Sequence, residues 1–173
     1  VANWYSYHVG IGQDGWIFLN ENSQATTGNS AVWNPAPTSS VFTHGAGLVN
    51  TGNIVFYAFS SVEGYSKFGS YTGNGNANGT FVFLGFRPAW VMIKRTNSTD
   101  GWQMFDNKRD PDNVIEDVIE ANTSAAAVTS IDWLDFLSNG IKHRVNYSNA
   151  NGNGSTYIYL AFAESPFKNA RAR

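Results

Sequence analysis

The sequence contains no cysteine, which excludes disulfide staples, thiolate metal sites and cysteine nucleophiles. Charge is also scarce: 14% of residues are Asp, Glu, Lys or Arg, against about a quarter in an average soluble domain. What charge there is balances to −2. Residues 1–70 hold one lysine and three acids, and residues 71–173 hold ten basic and ten acidic residues. With no basic face and no run of five or six like charges, no nucleic-acid partner is expected. No apolar run approaches the roughly 18 residues of a membrane helix, so membrane insertion is not expected either. The opening Val-Ala-Asn-Trp lacks the charged and apolar regions of a signal peptide.

Aromatics and glycine fill the space that charge leaves. Phe, Trp and Tyr make up 15% of the chain and there are 17 glycines, a composition of short strands joined by tight turns. Alternation predicts strands at 3–8, 16–20, 80–86, 89–95, 102–106, 131–137, 141–145 and 156–163, with Ile54–Phe59 an apolar run suited to a central strand covered on both faces. Pro35 and Pro37 make the stretch after Trp33 an edge or a bend. Asp110–Glu120 has helical spacing in part, but a strand at Val118 and Ile119 preceded by a helical turn is the reading adopted. The predicted fold class is all-β, an antiparallel β-sandwich or jelly roll.

Two related repeats are expected. Ile54–Phe59 has a near-copy at Tyr157–Phe162; Asn3–Tyr7 lies against Gly101–Phe105, and Trp16–Asn20 against Val118–Asn122, at displacements of about 100 residues. The first repeat is N-terminally incomplete, because nothing precedes Trp4 to match Thr80–Arg95. Residues 1–62 are therefore read as the C-terminal part of a first β-sandwich repeat, 63–79 as a Gly/Asn-rich connector, and 80–173 as a second, complete β-sandwich repeat. With a first residue that is Val rather than Met, the expectation is a C-terminal piece of a longer polypeptide, a shortened but complete unit being the alternative.

Catalytic and metal signals are sparse. Asp106, Asp110, Asp112, Glu116 and Asp117 cluster in sequence; a solvated acidic loop is the favoured reading, with a calcium site or an acid–base pair as alternatives. The loop-type calcium spacing is missing. His8, His44 and His143 are far apart and fall in no metal-ligand motif. No nucleophile elbow and no phosphate-binding loop occurs. No catalytic residue, metal ligand or cofactor is assigned, and the chain is read as a non-enzyme.

Aromatic residues remain as carriers of function, since a ring face beside Asn or Asp groups matches the two characters of a sugar. Trp4, Tyr5, Tyr7, Trp16, Trp90, Trp102 and Trp133 are mostly assigned to packing. Loop residues are the better ligand-binding candidates: Trp33, Tyr65, Tyr147 and, on an expected exposed tip, Asn149, Asn151 and Asn153.

Several strings are unusually specific: Ser61-Val-Glu-Gly-Tyr-Ser-Lys-Phe-Gly-Ser-Tyr-Thr-Gly-Asn-Gly75, Gly85-Phe-Arg-Pro-Ala-Trp-Val-Met-Ile-Lys-Arg95, Asp135-Phe-Leu-Ser-Asn-Gly140 and Tyr157-Ile-Tyr-Leu-Ala-Phe-Ala-Glu-Ser-Pro-Phe-Lys168. Over nearly the whole chain they resemble a repeat domain of tail-fibre-like structural proteins from marine and cyanobacterial bacteriophages. That resemblance implies localisation in the virion, as the distal part of a tail fibre or appendage, with host-cell attachment through carbohydrate binding to a host-surface polysaccharide. A capsid decoration or head-fibre protein is the alternative, and a polysaccharide depolymerase a further one. The implied partners are other virion proteins and further copies of the chain, a trimer being favoured. The basic end formed by Lys168, Arg171 and Arg173 is read as solvated or subunit-contacting.

Overall fold

A computed structural model describes residues 3–48 and 53–166; the basic end read above lies outside them. The strands in chain order are β1 (Tyr5–Ser6), β2 (Ile17–Phe18), β3 (Ser66–Thr72), β4 (Phe81–Phe83), β5 (Pro88–Arg95), β6 (Gln103–Asp106), β7 (Ile119–Glu120), β8 (Leu134–Leu137), β9 (Gly140–His143) and β10 (Thr156–Ala163). All their pairings are antiparallel, and the only helical turn among the described residues is a 3-10 turn at Ala46–Leu48. The all-β expectation therefore holds.

β10 is the centre of a five-stranded sheet ordered β3-β10-β5-β6-β7. It pairs with β3 along Thr156–Phe162 and with β5 along Tyr157–Ala163, so its backbone groups are satisfied on both edges. Its side chains alternate between two cores. Tyr157, Tyr159 and Ala161 join Val91, Ile93 and Phe105 on one face, while Ile158 and Leu160 join Met92, Met104, Trp90 and Trp102 on the other. A strand this apolar on both sides needs cover on both sides.

The two covers differ. On the first face a three-stranded sheet, β4-β9-β8, packs Val82, Phe136 and Ile141 onto the larger core. On the second face lies the two-stranded β1–β2 ribbon with its loops, burying Ile17 against Met92, Trp102 and Ile158. Polar bonds fix this second cover: Trp102 Nε1 donates to the Phe18 carbonyl at 2.8 Å and Lys94 Nζ to the Asn22 carbonyl at 3.1 Å. Lys94 is fully buried, and burial lowers its ammonium to about 8, a shift that Asp100 and Glu120 oppose. His8 bridges the layers, because the Gly10 amide donates to Nδ1 and Nε2 lies 3.1 Å from the Tyr159 carbonyl. That arrangement places the proton on Nε2.

Two readings need correction. Ser66–Thr72, placed in the 63–79 connector, is edge strand β3, because its Ser66, Phe68 and Ser70 positions match β10 in register. Ile54–Phe59, expected as a central strand, pairs with nothing among the described residues and is exposed, since no strand flanks it. Phe162, at the end of β10, is half-buried in an aromatic cluster with Phe59, Tyr65, Phe68 and Trp90. Strand β3 was hidden by its glycine and serines, which read as turn rather than sheet.

Ile158 has 0% exposure, and Ile158→Ala should cost about 2–5 kcal/mol in denaturant unfolding. Val55→Ala, at a residue that is 69% exposed, should change stability by less than about 0.5 kcal/mol.

A second expectation concerns acid. His143 is wholly buried between Tyr71 and β4, and desolvation, then the Lys142 charge, hold its imidazole down at about 3. The unfolded chain titrates near 6.5, so it binds the extra proton first as pH falls. The stability that neutral His143 contributes is therefore complete only well above pH 6.5 and is lost by up to about 1.4 kcal/mol per pH unit as pH falls toward 3. His143→Phe should flatten this acid limb in urea midpoints taken between pH 7 and pH 4.

Candidate functional site

A groove of about 370 Å³ opens at the edge of the five-stranded sheet, where β6 and β7 meet the loop that follows β9. Gln103 and Glu120 form its floor as a directly opposed cross-strand pair. Trp133 and Ile131 supply one wall, Val118 and Val128 another, and Tyr147 and Asn149 the rim. Tyr147 is 48% exposed and its ring meets Trp133 edge-on at 5.8 Å. One face of the rim is therefore a supported aromatic surface open to solvent.

The groove's polarity is unusual for its burial. Gln103 Oε1, Trp133 Nε1 and Asn149 Oδ1 are all buried without a hydrogen-bond partner among the described residues. Buried polar atoms are ordinarily paired, because leaving one unpaired costs about 1–3 kcal/mol. These two acceptors and one donor belong to side chains that line the groove beside its aromatic face. Glu120 packs against Gly101, whose missing Cβ leaves room for the carboxylate: a Cβ there would stand 2.2 Å from the Glu120 carboxyl carbon.

Of the six residues singled out in the sequence, the structure brings two together here, Tyr147 and Asn149. The others lie elsewhere. Tyr65 is exposed in the aromatic cluster around Phe162. Asn153 is exposed against Gly75. Trp33 is not a surface residue: it is 6% exposed and packs edge-on against Tyr7 at 5.9 Å, a contact its loop position did not signal.

Asn151 is the clearest correction. It is fully buried, its Nδ2 donates to Asn74 Oδ1 and to the Asn76 and Val145 carbonyls at 2.7–2.9 Å, and its Oδ1 accepts from the Asn74 amide at 3.1 Å. The supposed exposed tip is thus a knot. Tyr71 reinforces it by donating to the Ala150 carbonyl at 2.6 Å, and Tyr157 by accepting from the Gly152 amide at 2.8 Å and donating to the Ser148 carbonyl. The two rings stack at 4.9 Å, and burial pushes both phenols above their usual range. This knot carries Tyr147 and Asn149 to the groove.

The acidic stretch has a local explanation. Asp106 accepts from the amides of Lys108 and Arg109 and pairs with the Arg109 side chain at 2.7 Å. Burial pushes its carboxyl up, but those Arg109 and Lys108 bonds and the Arg109 charge outweigh it and leave the carboxyl below the usual range. Asp110 accepts from the amides of Glu116 and Asp117. These are turn-forming bonds of the kind short acids make to nearby backbone. Among the described residues no group of three or more His, Asp or Glu is arranged to hold a metal ion.

Gln103, Glu120 and Trp133 complete the groove, yet Gln103 and Glu120 carried no sequence signal strong enough to name them. The trace was there: Gln103 is the polar residue on the same strand face as Phe105, a position where a core strand ordinarily places a hydrocarbon.

Over residues 1–166 the chain matches DUF7483, a domain of unknown function, and it belongs to that family. No curated protein and no solved structure matches it.

Asn151→Ala should lower unfolding free energy by about 3 kcal/mol or more, because it strands several buried partners at once. Asn153→Ala, two residues on and exposed, should stay within about 0.5 kcal/mol of the parent in the same denaturant titration.

Proposed function

We propose that this chain is a non-enzymatic attachment module of a phage virion, part of a tail fibre or related appendage, and that its groove at Tyr147 takes a saccharide of the host surface. The observation that carries the binding reading is the juxtaposition, in one groove lining, of a half-exposed aromatic face with three polar side chains whose buried atoms have no partner among the described residues. Sugars offer an apolar ring face and a fringe of hydroxyls, and this lining answers both. The virion reading is supported by the strings of residues 61–75, 85–95 and 157–168 and their resemblance to tail-fibre-like proteins.

The non-catalytic part of the proposal follows from the same lining. Glycoside hydrolysis ordinarily needs two carboxyl groups roughly 5–10 Å apart across the bond. Among the residues of this groove Glu120 is the single acid. Binding without cleavage is the chemistry such a surface supports.

The test is binding of the purified chain to host-type cells and their extracted polysaccharides, with the glycans sized afterwards. Saturable binding to glycans of unchanged length is expected. Tyr147→Ala should weaken it about tenfold, equivalent to about 1.4 kcal/mol, while Tyr65→Ala, distant from the groove, should leave it unchanged. Shortened glycans would overturn the non-catalytic reading, and absence of binding to any surface polysaccharide would overturn the attachment reading.

A further inference from the structure

The backbone pairing of residues 3–26 coincides position by position with that of residues 101–128. Tyr5↔Phe18 and Ser6↔Ile17 in the first ribbon correspond to Gln103↔Glu120 and Met104↔Ile119 in the second. The isolated bridge Trp16↔Thr26 corresponds to Val118↔Val128. The Leu19 amide donates to the Trp4 carbonyl as the Ala121 amide does to that of Trp102. Even the side-chain bonds agree: the Trp4 amide donates to Asn20 Oδ1 at 2.8 Å, and the Trp102 amide to Asn122 Oδ1 at 2.7 Å. Register of this kind is specific, because a slip of one residue exchanges the faces of a strand.

On this common plan Ile54–Phe59 is the sequence counterpart of Tyr157–Phe162 of β10, but its surroundings differ. β10 lies between β3 and β5, and β5 in turn pairs with β6. In the first half β1 stands for β6, and the counterparts of β3 and β5 are missing among the described residues. Ile54–Phe59 accordingly makes no backbone hydrogen bond there, and Val55, Tyr57 and Phe59 are 69%, 71% and 65% exposed. An apolar stretch with unpaired amides and carbonyls is a ready template for another strand.

We propose that Ile54–Phe59 and β1 form a strand acceptor for an extended segment of a partner polypeptide, apolar on both faces as Pro88–Arg95 is, and antiparallel to both. The register follows from the second half. The residue standing for Met92 lies opposite Ser6 and Tyr57, and that standing for Ile93 opposite Tyr5 and Phe56. Trp4 and Tyr57, now stacked at 6.4 Å, part to admit it, as Trp102 and Leu160 share one core with Met92. A second copy of the described fold cannot give its β5, which is already bonded on both edges, and its own free Ile54–Phe59 matches β10 rather than the β5 strand that the register calls for. The occupant is a free strand, held mainly by main-chain bonds with pockets for alternate side chains. This surface is distinct from the groove at Tyr147, and the proposal does not depend on saccharide binding.

The test uses the full chain and a synthetic peptide with the sequence of Pro88–Arg95. Amide hydrogen exchange of residues 54–59 and 5–6 should slow at least tenfold with the peptide, and remain unchanged with a peptide of the same composition in shuffled order. Val55 and Ala58 are exposed and of opposite parity along the strand, so their amides point to opposite neighbours. Of Val55→Pro and Ala58→Pro, one should abolish the protection while both keep the parent melting temperature. No slowing up to about 1 mM peptide, a free energy near 4 kcal/mol, would overturn the proposal. So would slowing that appears without peptide as protein concentration rises, which would assign the surface to a second copy of the chain.

Discussion

The architecture depends on one strand that is apolar on both faces and hydrogen-bonded on both edges. Tyr157, Ile158, Tyr159 and Ala161 of β10 are each less than 5% exposed, which no two-layer sandwich of the usual half-wet kind would achieve. Given such a strand, the remaining chain must provide neighbours at each edge and a cover on each face. The neighbours are β3 and β5, and the covers are the β4-β9-β8 sheet and the β1–β2 ribbon. The two covers are unequal because the larger core takes a whole sheet while the smaller is closed by a ribbon and loops. Polar bonds from Trp102, Lys94 and His8 compensate for that smaller apolar contact by fixing the ribbon at defined points.

The same strand organises the groove. Tyr157 and Tyr71 project from neighbouring strands into one core, stack, and use their hydroxyls on the backbone of residues 148–152. Together with Asn151 they hold a loop that would otherwise be a flexible glycine–asparagine turn. A loop so restrained loses little further entropy when a ligand binds against it. The price of order has been met within the fold, so Tyr147 and Asn149 meet a ligand already in place.

Legibility in the sequence followed a physical line. β5 and β10, nearly continuous apolar runs bounded by turn residues, were read to within a residue, because such a run reports a strand covered on both faces. β3 was not, since its Ser66-Lys67-Phe68-Gly69-Ser70 places small polar residues where a strand meets only edge contacts. Gly69 is needed there: a Cβ would stand 2.7 Å from the Tyr159 hydroxyl. Asn151 was misread for the converse reason. Asparagine in a glycine-rich stretch ordinarily signals a wet turn, and a buried asparagine whose side chain meets four backbone and side-chain groups at 2.7–3.1 Å leaves no periodic trace. Trp33 lies inward against the ring of Tyr7, 26 residues away in the chain, a contact that local composition does not encode. Of the groove, the rim was legible through its exposed aromatic and the floor was not, because Gln103 and Glu120 become neighbours only when β6 and β7 pair.

The hydrophobic residues left outside the core are unevenly distributed, and that distribution carries the last step. Val55, Tyr57 and Phe59 are exposed together along one stretch whose sequence resembles that of β10, the central strand of the five-stranded sheet. A single exposed valine needs no explanation, but a contiguous apolar strand with unpaired backbone is ordinarily blunted by charge, proline or a bulge, and residues 54–59 contain no charged residue and no proline. The physical chemistry that makes β10 stable at the centre of its sheet makes its likeness at Ile54–Phe59 incomplete on its own. Whatever completes it must bring main-chain donors and acceptors as well as apolar area, and only another extended strand brings both.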